Sequence, residues 1–201
     1  GIFLYLYLFM DIDSRNIVGW QVYEHESSEW AADMVRDITR REGLTPEQVT
    51  LHWDNGGPMK GASMLAAMQA LGIMPSFSRP AVSNDNPYSE SLFKTLKYRP
   101  EYPAQPFAAV PAARQWVSGF VDWYNFEHRH SAIQFVTPAQ RHAGLDRAIL
   151  AQRQVLYQAA KARHPERWSR QTRNWQPVQV VYLNPHKTDR KETRKTMDKA
   201  A

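Results

Sequence analysis

The chain has 201 residues, 43% of them hydrophobic, with no cysteine and a formal net charge of +5. That apolar content excludes wholesale disorder, and the absence of cysteine excludes a disulfide scaffold, thiol catalysis and cysteine-based zinc fingers. The longest apolar run, Ile2–Met10, falls short of the ~18–20 residues that a membrane span needs, and the opening residues carry no basic region of an export signal.

Ile2–Asp11 is β-branched and aromatic throughout, and reads as a central strand buried on both faces. Asp13-Ser14-Arg15-Asn16 is a turn, and Ile17–Tyr23 resumes as the second strand of a hairpin. Ser27 or Ser28 caps a helix whose apolar positions Trp30, Ala31, Met34, Val35 and Ile38 follow the 3.6 period, and Gly43 ends it. A short strand, Val49–His52, runs into Asp54-Asn55-Gly56-Gly57. A helix is expected from about Lys60 to Leu71, with Met64, Leu65, Met68 and Leu71 on one side, then a brief strand near Ile73–Phe77. Asn86-Pro87 opens another helix that runs to about Tyr98. Four prolines between Pro100 and Pro111 then interrupt the chain before a long helix at 112–126. Thr137-Pro138 is a cap followed by proline at the first helical position, and 145–162 reads as the last helix. Val178–Leu183 has the composition of one strand. The tail from Lys187 holds six Lys/Arg and three Asp/Glu with few apolar residues, and reads as disordered. Strands alternating with helices after a hairpin indicate an α/β fold with a mixed sheet.

Asp54 stands just past a short apolar strand, where α/β sheets bind their ligands. The two glycines beside it leave room for a bulky anionic backbone. Taken alone, the same four residues serve equally well as a plain turn. Glu90 falls in the first turn of its helix, where the positive helix end favours a carboxylate. At ~100° per residue, Glu90, Lys94 and Lys97 share one sector and Leu92, Phe93 and Leu96 take the opposite one. Glu90 and Lys94 are also in the favourable order for an i,i+4 ion pair. A carboxylate flanked by lysines suits a metal site beside a phosphate backbone, and suits a solvated face as well.

Asp54 and Glu90 are separated by 35 residues, and the words around them are LYLFMDIDSRNIVGW (6–20), HWDNGG (52–57), SNDNPYSESLFKTLK (83–97) and YNFEHRHSAIQFVTPAQR (124–141). In order and spacing these resemble the DDE transposases and retroviral-type integrases, specifically the bacterial insertion-sequence branch. The resemblance implies a ribonuclease H-like fold with a mixed central sheet flanked by helices, and DNA transposition by metal-dependent strand transfer. Asp54 and Glu90 would be catalytic metal ligands for Mg²⁺ or Mn²⁺, with two ions ~3.5–4 Å apart in the full site. Lys94, Lys97, Asn86 and Arg129 would contact DNA. Transposon ends and target DNA are the implied partners, with a homo-oligomer, no small-molecule substrate, and a bacterial cytoplasmic, nucleoid-associated location.

Three carboxylates define that family, and two are matched. The first belongs on a strand preceding the opening residues, so a core truncated at its N-terminus and inactive by itself is expected, with an open strand edge. Asp11 and Asp13 read as local turn formers. Trp53 stands where the family has a small polar residue, and its side chain points away from that of Asp54. Trp116, Phe120, Trp123 and Tyr124 recur at helical spacing and read as core, and His130 as packing. The organisation expected is a catalytic core over 1–143, a helical extension over 144–185 and a basic tail over 186–201. The rival reading is a catalytically dead DNA-binding or protein-interaction module from a decayed mobile element.

Overall fold

The apolar opening run forms β1 (Tyr5–Met10), which pairs antiparallel with β2 (Ile17–Tyr23) in the register Tyr5↔Tyr23 to Phe9↔Gly19. Its burial alternates: Tyr7 and Phe9 are buried while Leu6, Leu8 and Met10 on the other face are only half-buried. The expectation of burial on both faces is therefore corrected, because only every second residue packs into the helix-backed core, as the period of a strand dictates. The computed structural model describes residues 3–54, 56–79 and 85–183. These fall into two compact units, one built from residues up to Met10 and 17–121, the other from 11–16 and from 122 onward.

In the first unit, α1 (Ser28–Arg41) starts at Ser27, whose hydroxyl accepts from the N–H groups of Glu29 and Trp30. The Tyr7 hydroxyl receives the Ser27 N–H at 2.9 Å, tying the helix start to β1. β3 (Thr50–Trp53) and β4 (Met74–Phe77) pair in parallel, with Trp53 opposite Phe77. Among the described residues the two ladders are separate two-stranded sheets. Between β3 and β4 lie a 3₁₀ turn at Pro58–Lys60 and α2 (Ala62–Leu71). This helix buries Met64, Ala67 and Met68; Leu65, expected on the inner side, is exposed instead. The helix begins only after Gly61, two residues later than expected, and the small side chain of Ala67 admits a close approach on the inner face. Gly72 closes α2 at φ +65, where a Cβ would stand 2.6 Å from that of Pro46, so only glycine fits.

Tyr7, Phe9, Ala31, Ala32, Val35, Ile38, Trp53, Met64, Met68 and Ile73 belong to one core cluster. Burying each large side chain among them contributes about 1.5–3 kcal/mol. The first unit continues through α3 (Pro87–Lys97), which buries Leu92 and Leu96, into α4 (Val110–Phe126). Arg114 of α4 donates twice to the Val22 carbonyl, at 2.9 and 3.1 Å, which anchors α4 on β2.

The second unit holds α5 (Pro138–His142) and α6 (Asp146–Arg163). Thr137 and Gln140 form a reciprocal capping box at the start of α5. Ile133, Val136, Leu150 and Trp175 make its core. Of the four α4 aromatics expected in the core, Phe120 and Tyr124 are buried, whereas Trp116 and Trp123 are half-buried. Val178–Leu183 forms no strand: Val180 and Tyr182 are exposed, and the Val178 carbonyl accepts from Arg141 rather than from a ladder. The expected tail lies outside the described residues.

Candidate active site

Asp54 follows directly on β3, is exposed, and accepts the Gly56 N–H on Oδ1 at 3.1 Å. Among the described residues nothing lies within 4 Å of where a Cβ of Gly57 would stand, whereas one on Gly56 would meet the Asp54 Oδ1 at 3.2 Å. Trp53, one residue earlier, is buried in the core and meets Phe77 edge to face at 4.6 Å. Adjacent residues on a strand point oppositely, so a buried Trp53 and an outward Asp54 are one consequence of the pleat.

The carboxyl end of β3 is braced. Ser78 extends the parallel ladder by donating its N–H to the Trp53 carbonyl at 3.0 Å. The His52 ring bridges two hydroxyls, Ser76 at 2.9 Å from Nδ1 and Ser78 at 3.2 Å from Nε2. Next along the chain, Arg79 meets Asp85 in a bidentate ion pair at 2.8 and 2.9 Å. Asp85 is buried and stands two residues before α3. None of His52, Ser78, Arg79 or Asp85 stood out in the sequence. The available signal was two opposite charges flanking a turn-rich loop.

Glu90 lies exposed in the first turn of α3, with Lys94 and Lys97 also exposed and Leu92 and Leu96 buried. The wheel is thus correct for Leu92 and Leu96, whereas Phe93, which at ~100° per residue falls nearer the Glu90 side than the opposite one, is half-buried. Among the described residues no ion pair joins Glu90 to Lys94; the Lys94 ammonium lies 6.0 Å from the Tyr98 ring centroid instead. An exposed helix pair is worth only ~0.2–0.5 kcal/mol, so a nearby aromatic face competes with it. Asn86 occupies the N-cap position, half-buried, but its side chain makes no capping hydrogen bond. Arg129 is exposed and belongs to the second unit.

Asp11 and Asp13 have structural partners. The Asp11 carboxylate accepts the N–H groups of Asp13 and Ser14 and the Ser14 hydroxyl, and meets His142 Nδ1 at 3.4 Å. Burial pushes its carboxyl up, but the hydrogen bonds from Ser14, Asp13 and His142 outweigh burial and hold it below the usual range. Asp13 pairs with Arg141 at 2.9 Å. His130 accepts the Ala132 N–H on Nδ1, and burial, followed by the charges of Arg15 and His128, pushes it down to about 4. A neutral, hydrogen-bonded imidazole fits packing.

Models described as the integrase core domain match residues 1–83 and 71–138, which together span the whole region from β1 to the start of α5. The chain belongs to the transposase and integrase catalytic-core family. Its similar relatives include the transposase for insertion sequence element IS904 of Lactococcus lactis, 27% identical over 67% of this chain and 53% of that protein. Transposase InsF for insertion sequence IS3A of Escherichia coli is 28% identical over 68% of this chain and 47% of its own length. This core spans about half the length of both. The crystallised catalytic core domain of BIV integrase superposes with a TM-score of 0.51 at 18% identity, covering 69% of this chain and 85% of that one. The fold is accordingly the ribonuclease H-like α/β fold of integrase cores.

The residues of this integrase core suit a hard divalent cation. Asp54 and Glu90 are both exposed carboxylates on the first unit, and carboxylate oxygens are the donors that Mg²⁺ and Mn²⁺ prefer. Among the described residues no group of three or more His, Cys, Asp or Glu side chains lies ready to hold a metal. Among the same residues no helix is long and apolar enough to cross a membrane.

Proposed function

We propose that this chain is the catalytic core of an insertion-sequence transposase, acting in DNA transposition or integration by strand transfer. Asp54 and Glu90 are the metal ligands, and Mg²⁺ or Mn²⁺ is the cofactor. When bound, such an ion activates a water or a DNA 3′-hydroxyl and stabilises the leaving oxygen. Lys94 and Lys97 on the exposed side of α3 contact phosphates, and Asn86 and Arg129 add contacts to DNA. The partners are transposon ends and target DNA, engaged by a homo-oligomer in the bacterial cytoplasm at the nucleoid. The observation that carries this reading is the pair of exposed carboxylates, one at the end of β3 and one in the first turn of α3, inside a chain of this family.

By itself the chain is proposed to bind metal and DNA without completing strand transfer. Two carboxylates hold one divalent ion with water filling its remaining positions. A two-ion site needs a further carboxylate, and neither Asp11 nor Asp13 offers one, since His142 and the Asp-Ser turn engage the first and Arg141 the second. That observation also favours the second reading, a catalytically dead DNA-binding module.

Titration of the chain with Mn²⁺ tests the assignment. Binding is expected to weaken in both Asp54→Asn and Glu90→Gln. Equal affinity in the parent and both variants would remove the enzyme reading and leave the DNA-binding module.

A further inference from the structure

We propose that the ion pair of Arg79 and Asp85 is a positioning device that fixes the helix carrying Glu90 against the strand end carrying Asp54. The proposal rests on the reading of those two carboxylates as metal ligands and names what sets their separation.

The bonded route between the two carboxylates is short even though 35 residues separate them in sequence. Asp54 follows Trp53, whose carbonyl accepts the Ser78 N–H at 3.0 Å. Ser78 is followed by Arg79, and Arg79 grips Asp85 through three hydrogen bonds. Its backbone N–H and Nε each donate to Oδ2 at 2.9 Å, and Nη2 donates to Oδ1 at 2.8 Å. Asp85 then leads through Asn86 into the first turn of α3 and Glu90. The grip is bidentate and also takes a main-chain donor, so it fixes orientation as well as distance.

A second observation separates this arrangement from ordinary helix capping. Asp and Asn are among the best N-cap residues, and α3 is preceded by one of each. The Asn86 side chain makes no cap, and the Asp85 carboxylate is directed to the chain leaving β4. The Asn86 side chain thus gives no cap, while Asp85 pins the approach of α3 to β4. The carboxylate is buried at its side chain, with 6% exposure, whereas the arginine is 70% exposed, so the arginine is open to substitution without opening the core.

Mn²⁺ affinity and far-UV circular dichroism of the whole chain form the test, applied to Asp85→Asn, Arg79→Gln and Arg79→Lys beside Asp54→Asn and Glu90→Gln. Partners that orient metal ligands typically cost tenfold or more when lost, so Asp85→Asn is expected to weaken Mn²⁺ roughly tenfold with an unchanged spectrum. Arg79→Gln keeps the main-chain donor and should lose less, and Arg79→Lys less again. Weakened binding in Asp54→Asn and Glu90→Gln beside parental affinity in Asp85→Asn and Arg79→Gln overturns the positioning role and spares the metal reading. Parental affinity in all of them overturns both. If Asp85→Asn fails to fold, Arg79→Gln decides by the same comparison.

Discussion

Arg141 and Asp13, separated by 128 residues in sequence, are joined at 2.9 Å. The same guanidinium reaches Asp146 at 3.4 Å and the Val178 carbonyl at 2.8 Å, so one side chain gathers the Asp-Ser turn, the start of α6 and the C-terminal segment. The guanidinium is 5% exposed and Asp146 9%, whereas Asp13 is 56% exposed. Removing Arg141 strands a buried carboxylate, and Arg141→Met should cost about 3–5 kcal/mol. Asp13→Asn removes only the solvated partner and should cost less than about 1 kcal/mol. Urea unfolding of the two variants beside the parent measures the contrast, and equal losses would contradict it.

His130 makes the second unit sensitive to mild acid. Its imidazole is held down at about 4 against an ordinary 6.5, by burial first and then by the charges of Arg15 and His128. Between those values the unfolded chain takes up a proton that the folded chain refuses. Stability therefore falls as pH drops from above 6.5 towards 4, by at most about 3 kcal/mol from this group. Urea midpoints at neutral pH and near pH 4.5 should differ accordingly, and His130→Asn should flatten the difference. A variant with the parental slope would assign the acid sensitivity to the carboxylates.

Local chemistry made the helix starts legible. Ser27, Asn86-Pro87 and Thr137-Pro138 mark three of the observed N-termini, because the caps of Ser27 and Thr137 and the fixed φ of Pro87 and Pro138 act within a single turn. The sides of α3 were equally readable, since Leu92 and Leu96 follow a period that only one buried stripe satisfies. Val178–Leu183 misled because strand preference is realised only against a neighbouring ladder, and here Arg141 takes the Val178 carbonyl. In the candidate site, Asp54 and Glu90 were visible through the words around them, whereas the brace of His52, Ser78, Arg79 and Asp85 was not. Each of those four finds a partner through the pairing of β3 with β4 or across a loop, and no local period encodes that.

Trp53 separates volume from polarity beneath the site. It is 5% exposed in the first core cluster, and its indole N–H is buried with no hydrogen-bond partner among the described residues. Trp53→Ala leaves a large cavity and should cost about 3–5 kcal/mol. Trp53→Phe gives up less volume and also removes the unpaired donor, so its cost should stay below about 1.5 kcal/mol. Guanidinium unfolding of both variants checks the difference. A large loss in Trp53→Phe would mean that the ring shape itself, packed edge to face on Phe77, carries the stability.

The lysines of α3 can be counted on DNA. Lys94 and Lys97 are exposed on the same helix as Glu90. If each neutralises one phosphate, removing it releases one fewer counterion on binding. The slope of log affinity against log salt should then shrink by about 0.9 for Lys97→Ala and about 1.8 for the double alanine variant on duplex DNA. Fluorescence anisotropy across a salt series reads this directly. Glu90→Gln removes a negative charge from the same surface without removing a phosphate contact, so it should strengthen binding at every salt concentration while leaving the number of contacts unchanged. A parental slope in the double lysine variant would move the DNA to another surface, and Arg129→Ala, measured in the same way, asks whether the second unit provides it.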